Sequence, residues 1–337
     1  MRRAAIILAF LAAVALVCGA VWRMAYVAAL EPLERRAEAD LRLAADRLTS
    51  DLQRYKELAV LMADHPLVLD LVAGAGAGAG AGGGDREAAL ALLRGRADLT
   101  GSLDIVLVDA AGRVLASAEG LPDSGAKLDD VVARALDGAL GTGHGVQAGS
   151  GRRVFRFAAP VFGDGGPPRG AVVVVAGVEE VESSLRGARP ALFFTDEEGR
   201  IFVSSRSELV FRPRDGFVDH EKRSLAGYDL WRLRGGPYLP ERALHLSLPL
   251  PVLELEGEVL GDSAPARQVA LLQAAIAGAI CLGFGALLAL AALRRQGLAR
   301  LNRQLEARVA GKVRRGAPGL WEALLPRIDA WFAENAL

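Results

Sequence analysis

Apolar residues recur at Leu33, Ala37, Leu41, Ala44, Leu48, Leu52, Tyr55, Ala59 and Met62, in steps of three and four. The mean step matches the 3.6-residue helical turn and predicts one nearly straight helix over 27–65 with a single apolar seam. Arg36/Asp40, Arg42/Asp46 and Arg47/Asp51 add opposite charges four residues apart on its polar side, a spacing that supports a helix. The seam can cover the chain's own domain or a second subunit. Pro66 ends the regular pattern.

Two uninterrupted apolar stretches lie outside this helix, at 4–22 and 269–293. Each is long enough as a helix to cross a hydrocarbon core of about 30 Å. Arg2 and Arg3 precede the first, and Arg294, Arg295, Arg300 and Arg303 follow the second. By the positive-inside rule, residues 1–3 and the tail 294–337 are cytoplasmic and everything between the spans is outside. The first stretch exceeds the usual core of a signal peptide, and Trp22 and Arg23 stand where an anchor meets the interface, so it is read as an uncleaved anchor. Small residues at Ala275, Ala279 and Gly283 define a face on the second span that would let helices approach closely.

The segment after Pro66 changes period. Ala73–Gly84 alternates Ala and Gly and reads as a surface loop. A helix is expected over 86–99. Leu103–Val108 and Arg113–Ala116 flank the turn Asp109-Ala-Ala-Gly112, a hairpin signal. A helix over 128–140, strands over 152–161 and 171–176, and a helix over 179–185 follow. The pattern then restarts: Ala191–Thr195 and Ile201–Ser205 flank a Glu197-Glu-Gly199 turn. Further strands are expected over 230–233, 243–248 and 252–259. The fold class is therefore α+β: a two-span membrane protein with two small sheet domains, 66–187 and 188–262, on a long N-terminal helix.

Composition adds little. Formal net charge is zero over 337 residues, which gives no reason to expect nucleic-acid binding. Both cysteines, Cys18 and Cys281, fall in the spans, so no disulfide is expected in the external segment. The four histidines show no metal-ligand spacing, and neither a nucleophile–base set nor a phosphate loop stands out. No catalytic residue, cofactor or metal is expected.

The strings Glu34-Arg-Arg-Ala-Glu-Ala-Asp-Leu-Arg-Leu43, Leu52-Gln-Arg-Tyr-Lys56, Ser150-Gly-Arg-Arg153 leading to Ala159-Pro-Val161, and Phe194-Thr-Asp196 with Gly199 through Arg206 together resemble the DctB-type sensor histidine kinases. Those receptors detect four-carbon dicarboxylates outside the cell. The resemblance implies a double-Cache sensor of two PAS-like domains, a ligand pocket in the membrane-distal one, a homodimer, and an inner-membrane location with a periplasmic sensor. Val175 stands where that family carries a lysine. A carboxylate pocket needs fixed donors, and Arg152, Arg153 and Arg156 are the cations on the matching strand, with Thr142, His144 and Ser150 in the loop before it. Alternation places Arg152 and Arg156 on one face, and Arg153 with Phe155 and Phe157 on the other. The tail after Leu293 contains no histidine, and Trp321-Glu-Ala-Leu-Leu-Pro326 with Ala333-Glu-Asn-Ala336 echoes the family's acceptor block without it. The expectation is a sensor portion without its own kinase domain, working as a homodimer or paired with a full-length kinase. The alternatives are a non-catalytic regulator and a nonfunctional truncated product.

Overall fold

The computed structural model describes residues 2–76, 83–120, 126–147, 150–163, 165–187, 190–216, 218–234, 239–315, 324–327 and 329–330. Half of the Ala/Gly tract, part of the Trp321–Pro326 string and all of Ala333–Ala336 lie outside the described residues. The chain forms two units, one of residues 1–23 with 271–337 and the other of Met24–Ala270.

The first unit is built on the ends of two long helices, α1 (Arg2–Ala63) and α6 (Ala264–Arg315). Both are long and apolar enough to cross a membrane. Ile6, Ile7, Leu8, Leu16, Ile280, Phe284 and Leu287 are exposed, a surface suited to hydrocarbon rather than water. The helices meet at different small residues from those singled out above. A Cβ on Gly278 would stand 3.1 Å from the Cys18 sulfur, and one on Gly285 would strike the Phe10 ring, whereas Gly283 faces open space. The first span and the long helix belong to one continuous element, α1.

In the second unit, α2 (Pro66–Gly76) and α3 (Gly83–Thr100) lead to a five-stranded antiparallel sheet. Both helices take in ends of the Ala/Gly tract expected to be loop. The strands are β1 (Asp104–Asp109), β2 (Val114–Ser117), β3 (Gly141–Val146), β4 (Arg153–Phe162) and β5 (Pro168–Gly177), in spatial order 2-1-5-4-3, with α4 (Ala126–Leu136) between β2 and β3. Helix α5 (Val178–Leu185) passes to a six-stranded sheet of β6 (Ala191–Thr195), β7 (Ile201–Ser204), β8 (Val218–Leu225), β9 (Tyr228–Leu233), β10 (Arg242–Leu250) and β11 (Leu255–Asp262), in order 7-6-11-10-9-8. Short 3₁₀ turns, Ser207–Leu209 and Arg214–Gly216, follow β7.

The two sheets open with the same five-residue device. In Asp109-Ala-Ala-Gly-Arg113, Asp109 Oδ1 accepts the Arg113 N–H at 2.8 Å and Oδ2 accepts Arg113 Nε at 2.8 Å. In Asp196-Glu-Glu-Gly-Arg200 the matching bonds are 2.8 and 3.1 Å. Gly112 and Gly199 both sit at left-handed φ, 76° and 72°, where a side chain is disfavoured. Burial alone would raise the Asp109 carboxyl, but the Arg113 and Ala111 N–H groups and the Arg113 guanidinium hold it below the usual carboxylate value.

The α1 seam packs on the chain's own sheets. Ala37, Leu41, Leu48, Leu52, Tyr55, Ala59 and Met62 join one buried cluster with Ile105, Phe155 and Val174 of the first sheet and Leu192, Phe194 and Val259 of the second. The seam is thereby occupied within the chain and is not left open for a second subunit. On its other face the first sheet packs Val106, Val154, Ala158, Val173 and Val175 against Val131, Val132 and Ala135 of α4.

Two strands escape the sequence pattern. Thr142 and His144 lie in β3 rather than in a loop, and its alternate residues are glycines with no apolar signal. The glycines make room for α4: a Cβ on Gly143 would stand 2.6 Å from Val131 Cγ2, and one on Gly141 would strike the Val131 carbonyl oxygen. β8 carries the charged run Asp219–Arg223, which reads as surface. Gly141→Ala is expected to destabilise the protein by about 1–3 kcal/mol through overpacking, read as a lower midpoint in denaturant unfolding. An unchanged midpoint would show that α4 does not press on β3.

Candidate functional site

The site is defined by one transverse row across the first sheet. Register pairs Asp104 with Val175, Val175 with Arg156, and Arg156 with Gly143. Directly paired residues share a face, and the contact of Gly143 with Val131 makes this the α4 face. Arg156 is 1% exposed there, between Val154 and Ala158 along its own strand. A guanidinium stays charged, and a buried one requires anionic or carbonyl oxygens around it. Its five fixed donors fit the planar fork of a carboxylate. Asp104, also 1% exposed, accepts the Ser117 hydroxyl at 2.8 Å and the Glu119 N–H at 3.1 Å.

The other predicted residues go elsewhere. Arg153 points to the opposite face with Phe155 and Phe157, as alternation requires, and is held in a buried fork. Its Nη1 and Nη2 donate to Glu182 Oε1 and Oε2 at 2.6 and 2.8 Å, and Nη1 also donates to the Phe202 carbonyl at 2.6 Å. The Ser204 N–H donates to Glu182 Oε1 at 2.9 Å. Arg153 thus ties β4 of the first sheet through α5 to β7 of the second. Arg152 is exposed, 3.8 Å from Glu179. Ser150 is exposed and donates to Gln147. Thr142 is half-buried, and its register partner is Phe157. His144 is buried against Phe202, ring centroids 4.8 Å apart. With Asp196, Arg200 and Phe211 it lines a cleft of about 200 Å³ between the two sheets. Of the six, Arg156 is the one buried on the α4 face.

Sequence reasoning missed Asp104 and Glu182. Asp104 carries a signal, an acid opening a strand whose interior, Ile105–Val108, is wholly apolar. Glu182 carries none, because its partner is 29 residues away. Among the described residues no group of three or more His, Cys, Asp or Glu could hold a metal ion.

This architecture, two antiparallel sheets strung along one long helix, is shared by solved sensor and ligand-binding domains. The sensor domain of the Vibrio cholerae histidine kinase DctB superposes with a TM-score of 0.57 at 18% identity, covering 69% of this chain and 98% of that one. The ligand-binding domain of the Campylobacter jejuni chemoreceptor Tlp3, solved with L-valine, gives 0.54 at 14% identity over 73% and 98%. That of the Pseudomonas fluorescens chemoreceptor CtaA, solved with L-serine, gives 0.51 at 15% over 69% and 98%. No protein-family model matches the chain, and no curated protein matches it. The likeness is one of fold.

Proposed function

We propose that this protein is a two-span membrane receptor whose Met24–Ala270 unit lies outside the cytoplasm and binds a small carboxylate at Arg156. The buried guanidinium on the α4 face carries the reading. A guanidinium fork held almost wholly out of solvent beside α4, on one row with Asp104, matches the planar oxygens of a carboxylate. The arginines flanking the spans support the orientation, with both termini inside. Ligand binding acts on the helices leaving the unit only as far as affinity differs between their arrangements. Signalling of the DctB type, through paired receptor chains, is the output this reading favours.

One observation favours a second ligand class. Asp104 lies on the same row as Arg156, two strands away, about 10 Å at the usual strand spacing. An acid and a base facing one site suit a zwitterion, so an amino acid is the alternative to a simple carboxylate. A four-carbon dianion would call for a second cation; Arg153 is held on the opposite face by Glu182, and Arg152 is exposed beside Glu179.

The orientation is tested with single cysteines in a Cys18→Ala, Cys281→Ala background. A membrane-impermeant maleimide should label Ala111→Cys in intact cells and Gly297→Cys only after lysis. The reverse pattern would overturn the receptor reading.

A further inference from the structure

The second sheet holds a buried titratable group unconnected with Arg156. On β11, Glu258 is fully buried. Its Oε2 lies 2.8 Å from His245 Nε2 on β10, and Oε1 accepts the Thr195 hydroxyl of β6 at 3.1 Å. The other ring nitrogen, His245 Nδ1, lies 3.3 Å from Asp229 Oδ2 on β9. That oxygen also accepts Trp231 Nε1–H at 2.8 Å, and the Trp231 ring stacks on the imidazole with centroids 3.7 Å apart and planes 14° from parallel. Arg214, from the 3₁₀ turn after β7, reaches Glu256 at 3.3 Å and Glu258 at 3.5 Å. Among the described residues, the charged groups linked to the imidazole in this way are the Asp229, Glu256 and Glu258 carboxylates and the Arg214 guanidinium.

Counting protons makes the arrangement informative. A neutral imidazole has one N–H and one lone pair, so with both carboxylates ionised one ring nitrogen would face an oxygen without a hydrogen between them. Only an added proton, on the ring or shared with Glu258, satisfies both contacts. The stacked indole face further favours a cationic ring. Glu258 lies four residues before the end of β11, and α6 begins two residues after it, at Ala264.

We propose that Glu258, His245 and Asp229 form a proton-binding site that makes the second sheet, and the strand leading into α6, responsive to the pH of the compartment it faces. The sign follows from a histidine gaining acidic partners on folding. The stabilisation is present in acid and lost as pH rises and the proton leaves.

The full chain in detergent, titrated between about pH 5 and 8, tests this by melting temperature and tryptophan emission. In the wild type the melting temperature should fall by about 2–4 °C or more as pH rises, and Trp231 emission should increase as the quenching imidazolium is lost. His245→Gln should remove both changes relative to wild type. Asp229→Asn, at the half-exposed end, should fold normally and shift both to lower pH. A wild type flat in both readouts, or the same slopes in His245→Gln, would overturn the proposal; so would an Asp229→Asn profile identical to wild type. None of these outcomes depends on a ligand at Arg156.

Discussion

Arg153→Ala should lower the stability of the protein by about 3–5 kcal/mol, because it leaves the Glu182 carboxylate buried without its cation. Both side chains are nearly excluded from solvent, 9% and 7% exposed, so screening offers little relief. Against a total of about 5–15 kcal/mol for a folded protein, this is the most damaging single change expected. The Phe202 carbonyl and the Ser204 N–H lose partners with it. A double change, Arg153→Met with Glu182→Leu, should recover most of the loss, since apolar groups of similar volume leave no charge stranded. Chemical denaturation of the four proteins checks both parts. If Arg153→Ala costs under about 1 kcal/mol, the pair behaves like a surface ion pair and does not join the sheets.

Arg156→Met should weaken ligand binding by about 30-fold or more, the effect of removing one partner from a buried charge-paired contact, about 2 kcal/mol upward. Ligand that raises the melting temperature of the wild type should leave that of Arg156→Met unchanged. Arg152→Ala is the matched control, because Arg152 is 48% exposed beside Glu179, and it should keep the full ligand response. An equal loss in both variants would move the site away from the α4 face.

Much of this fold was legible because its signals are periodic. The seam from Leu33 to Met62 needs only the helical repeat, and its residues from Ala37 to Met62 lie in the core, with Leu33 half-buried. The Asp-x-x-Gly-Arg hairpins and the valine run of β5 are local patterns as well. What failed was β3, whose glycines erase the alternation, and β8, whose charges imitate a loop. The faces of Arg153 and Arg156 followed from alternation, yet their opposite fates did not. Those depend on Glu182 and on α4, which register and long-range packing bring to the strand. The Glu258–His245–Asp229 cluster was illegible for the same reason: its members lie 13 and 16 residues apart on three strands.

The central assertion is that a buried guanidinium in the first sheet receives an anionic small molecule. Titration calorimetry of the full-length protein in detergent against succinate, malate, fumarate and L-valine addresses it directly. The account predicts saturable heat with at least one of these and none with the same compound on Arg156→Met. Heat absent from every titration of the wild type, or identical heat from the variant, would contradict it.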